Sequence, residues 1–328
     1  MQTRPIPGTD LAVSSLSLGG WLTFGGSLDD ATSLRILRTA VDRGVTFLDL
    51  ADVYAHGAAE RVVGQFLREV DGDQLVVSSK VFWPMSDDPG DRGLSRRHIH
   101  ASIDNTLQRL GRDHLDLYFC HREDPGVPLA ETVQAMGDLV AAGKVRAWGT
   151  SCWQAATLQQ AWALADQLGV APPRVEQPQY NLFDRWIEQE VVPMCAQLDM
   201  AIVVWSPLAS GALTGKYLNG KPAGSRGATS RWVDDYLTPP RMRAVEQFVA
   251  LCAERSLAPA AVALAWAMAQ PGITSVITGA TSEAQLQANL AAAEVVVDDA
   301  LRAQLDAIFP PPRRSGWKRV IKRLLGRD

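Results

Sequence analysis

Cysteine is scarce and scattered: Cys120, Cys152, Cys195 and Cys252 are the only four in 328 residues, and none sits in a CxxC pair. That spacing excludes a disulfide framework and a cysteine zinc site, and it implies free thiols in a reducing compartment. No apolar run reaches the roughly 20 residues of a membrane-spanning helix. Met1–Asp10 is polar and holds two prolines, so a secretory signal is not expected there, and the expected compartment is the cytoplasm. A GxGxxG fingerprint is also missing. Leu18-Gly19-Gly20-Trp21 stands where an open, doubly wound dinucleotide-binding sheet would carry it. Nor is there a global excess of positive charge. The net charge of −4 and pI of about 5.8 exclude a generally basic nucleic-acid binder.

What is present is rhythm. Eight short, β-branched apolar runs recur at 15–20, 46–51, 75–80, 115–121, 145–151, 175–180, 201–207 and 275–280. Between them lie helical patterns at 30–43, 58–69, 95–110, 129–142, 153–168, 186–198 and 282–293, with a further helical region at 241–269. Several open on Asp or Ser and stop at Gly44, Gly111, Gly143 or Gly169, as capping physics requires. Strands alternating with helices imply parallel strands joined by crossovers, and eight repeats imply closure into a (β/α)8 barrel, an α/β TIM barrel built as one domain over 1–312. Residues 1–14 precede the first barrel strand and are expected to form a small hairpin across the barrel bottom. Residues 208–240 form a long Gly/Pro/Ser-rich loop after strand 7, on the face where such barrels keep their sites.

Four ionisable residues fall at or just after consecutive strand ends: Asp49 and Tyr54 after the second, Lys80 at the third, His121 at the fourth. Each alone has a bland structural reading. Together, at one barrel mouth, they suit carbonyl reduction. Hydride arriving at a carbonyl carbon builds negative charge on oxygen, and Tyr54 can meet it with a proton. Lys80 is expected to favour the phenolate and lower the tyrosine pKa. Asp49 would keep Lys80 charged, and His121 would hydrogen-bond the same oxygen. No second histidine lies at another strand end, and His56 is the nearest other, so no metal is expected.

At these residues the chain resembles the aldo-keto reductase superfamily, over essentially residues 10–309. Phe47-Leu48-Asp49, Asp52-Val53-Tyr54, Ser79-Lys80-Val81-Phe82-Trp83 and Leu115-Asp116-Leu117-Tyr118 leading to His121-Arg122 carry the likeness. The chain is most similar to the branch related to potassium-channel β-subunits, through Gly93-Leu94-Ser95-Arg96, Trp148-Gly149-Thr150-Ser151, Glu176-Gln177-Pro178-Gln179-Tyr180-Asn181-Leu182, Trp205-Ser206-Pro207-Leu208-Ala209-Ser210-Gly211 and Thr214-Gly215-Lys216-Tyr217. The resemblance implies Asp49, Tyr54, Lys80 and His121 as the catalytic tetrad and NADPH as cofactor. It places Gly20, Trp21 and Asp49 at the nicotinamide end, Ser151 and Gln177 on the carboxamide, and Trp205 on the ring. Ser206, Leu208, Ser210, Gly211, Lys216 and Arg226 form the pyrophosphate strap, and Gly279, Thr281, Gln285 and Asn289 the adenine and 2′-phosphate end. Arg226 and Thr281 favour NADPH over NADH. Departures are Ala288, where the family often has an acidic residue, Leu50 in place of Thr, and Cys152. Trp21, Phe24 and Trp83, with Trp153 as a further candidate, are expected to line a mouth for an apolar or aromatic carbonyl substrate.

A second function class follows from the same likeness: an NADPH-binding, redox-sensing subunit of a membrane channel. The animal channel subunits commonly carry Asn where His121 stands, so the complete tetrad favours the enzyme. A barrel hydrolase or lyase would need a nucleophile or metal cluster that the sequence does not offer.

The C-terminal tail is set apart by Pro310-Pro311-Pro312. Residues 313–328 carry seven basic side chains against Asp328 alone, a charge of +6 that leaves −10 on the rest. Trp317, Val320, Ile321, Leu324 and Leu325 form one helical stripe flanked by Lys318, Arg319, Lys322 and Arg323. Docking on the acidic barrel of the same or a neighbouring subunit is the leading expectation, and reversible contact with anionic lipid the lesser one. Deleting 313–328 should leave turnover intact. Sedimentation of intact and truncated protein with anionic vesicles checks the lipid contact.

Overall fold

The computed structural model describes residues 1–312, so the amphipathic segment expected at 313–328 lies outside the described residues. A two-stranded antiparallel hairpin comes first, β1 (Thr3–Pro5) with β2 (Ala12–Ser14). Eight parallel strands follow: β3 (Leu16–Gly19), β4 (Phe47–Asp49), β5 (Val76–Val81), β6 (Leu115–Cys120), β7 (Val145–Thr150), β8 (Val175–Glu176), β9 (Ala201–Val204) and β10 (Ile273–Thr278). They close in the order β10-β3-β4-β5-β6-β7-β8-β9, so strands adjacent in sequence are adjacent in space and the ring shuts where β10 pairs with β3. Each strand overlaps one of the eight apolar runs.

The crossovers are α1 (Asp30–Asp42), α2 (Ala58–Leu67), α3 (Arg96–Leu110), α4 (Leu129–Ala141), α5 (Ala155–Leu168) and α6 (Val191–Gln197). After β9 come the short α7 (Arg226–Thr229), then α8 (Pro239–Glu254) and α9 (Pro259–Met268), and after β10 comes α10 (Glu283–Leu290). Local chemistry starts and stops them. Asp29 accepts from Thr32 N and Ser95 from His98 N, and Gly111 and Gly169 end α3 and α5 in the left-handed region. Among the described residues no single helix is long and apolar enough to cross a membrane.

Besides the single turn of α7 within the loop after β9, sequence periodicity does not reveal α11 (Asp299–Ile308). This helix is capped by Asp298, which accepts from Leu301 N at 2.6 Å, and it buries Leu301 and Leu305. Two apolar residues one turn apart are too faint a stripe to read as a helix. The loop after β9 is also less irregular than its composition suggests, because Ala209–Thr214 and Arg231–Tyr236 wind into 3₁₀ turns.

Two apolar clusters follow from strand pleating, which sends alternate side chains to opposite faces. Phe47, Val76, Leu117, Phe119, Ala147, Val175, Ala201, Val203 and Ile277 fill the barrel interior, joined from below by Ile6, Leu11 and Val13 of the hairpin. The hairpin therefore plugs the barrel bottom, as expected. The alternate residues, among them Leu48, Val77, Tyr118, Cys120, Trp148, Ile202 and Val276, pack outward against the helices. Polar side chains at inward positions can then only emerge at the C-terminal ends of the strands.

Candidate active site

Pleating selects the site. Two residues beyond inward Phe47 stands Asp49; Val76 is followed by Ser78 and Lys80 at the same phase; Leu117 and Phe119 lead to His121. The same count places Ser151 above Ala147, Gln177 above Val175 and Trp205 above Val203. Burial agrees: Asp49, Ser78, Lys80, His121, Ser151 and Gln177 are all buried. Trp205 is half-buried and packs against the interior cluster.

Lys80 is the hub. It is fully buried, and its Nζ donates to Asp49 Oδ2 at 2.7 Å, to the Leu50 carbonyl at 2.5 Å and to Tyr54 Oη at 3.2 Å. Asp49 Oδ1 accepts from Ser78 Oγ and from Gln177 Nε2, both at 2.8 Å. Gln177 reaches across the mouth from β8, so the proposed carboxamide contact is wired directly to the tetrad. Tyr54 lies in the loop after β4, its ring edge-on to His121 with centroids 6.0 Å apart.

The electrostatics correct one expectation. Burial, and then the Asp49 carboxylate, hold the Tyr54 phenol well above its ordinary pKa, where the sequence suggested that Lys80 would lower it. In the dry site the cost of an extra anion beside Asp49 dominates. Burial also lowers the Lys80 ammonium, with Asp49 opposing. Burial, then the charges of Lys80 and Arg122, drive His121 well below its ordinary value. The site at neutral pH thus offers a protonated phenol and a neutral imidazole. Among the described residues the buried His121 Nδ1 has no partner, so the ring retains hydrogen-bonding capacity for a bound molecule.

Around the barrel, the tetrad occupies the ends of β4, β5 and β6, and the proposed cofactor residues occupy the complementary arc from β7 through β9 and β10 to β3. That arc is built for close approach. Among the described residues nine non-glycine positions have positive φ; Leu22, Cys152, Ser206, Ala209 and Ser210 lie in loops of that arc, and Ala55 and His56 in the Tyr54 loop after β4. Such strained backbone persists only where surrounding structure enforces it, and it gathers at functional mouths. Gly211, at φ 90°, extends the run in the strap, and the end of the Lys216 side chain lies against its Cα. Gly20 is tight for another reason: a Cβ would meet Leu50 and Phe24 at 2.8 and 2.9 Å. Leu50 in place of the family's Thr is thus a packing feature.

The donor set suits an anionic dinucleotide. Among the described residues neither the Lys216 ammonium nor the half-buried Arg226 guanidinium has a carboxylate partner. Lys216 lies over the Tyr217 ring at 5.1 Å, and Arg226 over Trp21 at 4.7 Å. Burial lowers the Arg226 pKa. Tyr217 ties the two parts of the strap together, its Oη accepting from Gly227 N at 3.1 Å. Gly279 faces open space, with nothing nearer a Cβ position than Gly19 O at 4.0 Å. At the far end, Thr281 N and Oγ1 both donate to Gln285 Oε1, at 3.0 and 2.9 Å, while Asn289 Nδ2 pins Thr278 Oγ1 and the Gly279 carbonyl. Ser206 is held by its carbonyl to Asn181 Nδ2 at 3.1 Å, and the Leu208 carbonyl accepts from Gly211 N at 2.9 Å.

Of the aromatics expected to line a substrate mouth, Trp21 and Trp83 lie at the open end of the barrel and Phe24 does not. Trp83 is 39% exposed, and its ring centroid is 6.2 Å from that of His121. Trp21 is half-buried and edge-on to the exposed Trp232, a mouth residue that sequence reading passed over. Phe24 does not line the mouth. It is 1% exposed and packs beneath Gly20 in the outer core. The kinked turn after β3 folds it inward, away from Trp21. Trp153 is likewise core.

Other supporting residues also escaped the sequence reading. Ser78 was findable, since it shares the phase of Lys80. Glu60 was not: from α2 it accepts from Ser79 Oγ at 2.6 Å and pairs with Arg109 of α3 beneath the mouth. Asp52, pushed up to about 7 by burial and then by Glu60, anchors the Tyr54 loop by accepting from Val53 N and Ser102 Oγ at 2.6 and 2.9 Å.

An eight-stranded parallel barrel with a buried Asp–Lys pair touching a tyrosine at its mouth defines a class, and the chain belongs to it: it matches the aldo/keto reductase family over residues 15–309 and is an oxidoreductase of that family. It is similar to a protein of Arabidopsis thaliana described as a probable voltage-gated potassium channel subunit beta, 41% identical over 308 residues, which cover 90% of this chain and 92% of that protein. The protein of the same description from Oryza sativa subsp. japonica is 40% identical over 303 residues, with 90% and 92% covered.

Proposed function

We propose that this chain reduces aldehyde or ketone carbonyls to alcohols with NADPH, Tyr54 giving the proton. The observation that carries the reading is the Lys80 Nζ contact of 2.7 Å to Asp49 and 3.2 Å to Tyr54 Oη, made at the open end of the barrel beside His121. The dinucleotide, when bound, supplies hydride to the carbonyl carbon. The Tyr54 phenol, neutral because burial holds its proton, donates to the oxygen as charge builds there. Lys80 stabilises the phenolate left behind, and Asp49 keeps that ammonium charged and aimed. The neutral His121 ring donates an N–H to the same oxygen and orients it. Trp21 and Trp83 shield the site from water.

Ser151, Gln177 and Trp205 would hold the nicotinamide end, with Gly20, Trp21 and Asp49 beside it. Ser206, Leu208, Ser210, Gly211 and Lys216 would strap the diphosphate, and Arg226, in the same strap, would meet a 2′-phosphate. Gly279, Thr281, Gln285 and Asn289 would form the adenosine end, where a 2′-phosphate would take Thr281's donors from Gln285. The plant relatives' descriptions favour a second reading, a channel-associated subunit that senses NADPH. NADPH oxidation by the purified protein with a panel of aldehydes, ketones and dicarbonyls separates the two: a sensor binds the dinucleotide without consuming it.

Cofactor choice has its own test. NADPH should bind about tenfold or more tightly than NADH, as a charge-assisted contact to the extra phosphate allows, and Arg226→Ala should narrow the ratio. Titration by quenching of tryptophan fluorescence measures both. Equal wild-type affinities would remove the preference, and an equal loss for both cofactors in the variant would place Arg226 on the diphosphate.

A further inference from the structure

Arg122 is a cation at the mouth with no assigned work. It follows His121 at the end of β6, and its Nη1 donates to the His121 carbonyl at 2.5 Å and approaches Ser151 Oγ at 3.4 Å. Its guanidinium carbon lies 5.8 Å from the centre of the Trp83 ring. The side chain is half-buried. Its charge is felt throughout the site, contributing to the depressed pKa of His121 and opposing the upward shifts of Tyr54 and Cys152.

Among the described residues no carboxylate pairs with it, although the next two residues are acidic. Glu123 Oε1 is turned away to accept from Gln154 N at 2.6 Å. Asp124 accepts from Leu94 N at 2.7 Å and from Gly126 N at 2.9 Å. Among the described residues both bonds made by Arg122 use Nη1, which leaves the rest of the planar fork unengaged there. A partly desolvated guanidinium without a counter-ion is costly unless a ligand supplies one. The dinucleotide phosphates are not that ligand on the reading above. Their candidate cations, Lys216 and Arg226, lie after β9, three strands further round the barrel, and the nicotinamide carboxamide near Ser151 is neutral.

We propose that Arg122 selects carbonyl substrates bearing a carboxylate, held by the free edge of its guanidinium against the Trp83 wall while the carbonyl sits between Tyr54 and His121. The assignment rests on the carbonyl-reduction reading and refines its substrate class. A guanidinium fork matches a carboxylate in shape as well as charge, which Lys would not.

Steady-state kinetics with ortho-, meta- and para-formylbenzoate, each against its methyl ester, test it. At least one of the acids should show kcat/KM about tenfold or more above its ester, carried by KM, with the advantage shrinking as salt rises. Arg122→Met should bring that acid-to-ester ratio to about one, and Arg122→Lys should leave it intermediate. Acids and esters reduced equally well by the wild-type protein, or a preference that survives in R122M, would overturn the proposal. If no compound oxidises NADPH, the carbonyl-reduction reading fails on its own, and calorimetric titration of the dinucleotide complex with formylbenzoate decides Arg122 separately. Binding lost in R122M would uphold the anion site, and equal binding by both proteins would overturn it.

Discussion

Tyr54→Phe is expected to lower carbonyl turnover by roughly a hundredfold to ten-thousandfold, the range a positioned general acid contributes, which corresponds to about 3–5 kcal/mol of barrel-mouth chemistry. NADPH affinity should hold, because the Tyr54 hydroxyl bonds Lys80 and none of the proposed cofactor residues. Parallel measurements of kcat and of NADPH binding test both halves, and near-wild-type turnover would remove Tyr54 from the proton transfer. The pH dependence is part of the same result. The phenol's pKa is raised, so its acid form persists across the neutral range, and His121 is held neutral well below its ordinary pKa. Reduction should therefore be flat from about pH 7 to 9, with no limb near the ordinary histidine value of about 6.5. Alcohol oxidation needs the phenolate and should climb about tenfold per pH unit over the same span.

Lys80→Met should damage both turnover and stability. The side chain is fully buried, and removing it leaves Asp49 as an uncompensated buried carboxylate, a loss of about 3–5 kcal/mol for pairs of this kind. Ser78 and Gln177 still donate to Asp49 Oδ1, so the fold should survive with a lowered thermal midpoint. Turnover should fall at least as far as in Tyr54→Phe, since the phenolate loses its counter-charge. Adding Asp49→Asn to Lys80→Met separates the effects: stability should partly return, because no buried charge remains, while turnover stays low. If the double variant recovered turnover, Lys80 would be structural only. If Lys80→Met alone kept full activity, the ion pair would have no part in the chemistry.

Much of the site was legible along the chain because strands alternate. Asp49, Lys80, His121, Ser151, Gln177 and Trp205 all stand at strand ends in phase with inward apolar residues, and a period of two can be counted without a structure. Tyr54 was legible from its motif, since no periodicity reaches into a loop. The partners from other elements were not. Glu60 beneath Ser79 comes from a helix and belongs to no strand pattern. Phe24 reads as a mouth aromatic beside Trp21, yet the turn after β3 folds it into the core.

By itself the sequence determined the eight-strand rhythm, the closure it demands, the polarity of the strand ends and the family likeness, all of which depend on local periodicity or on residues near one another in the chain. Only the tertiary structure decided the protonation of the site and the freedom of its cations. The Tyr54 pKa is raised, contrary to the pairwise expectation, because burial and Asp49 act on it together. Among the described residues Arg122 and Arg226 have no carboxylate partner, although Glu123 and Asp124 directly follow Arg122 in sequence. Both outcomes depend on which groups share a dry volume, and that is set by barrel closure between residues far apart along the chain.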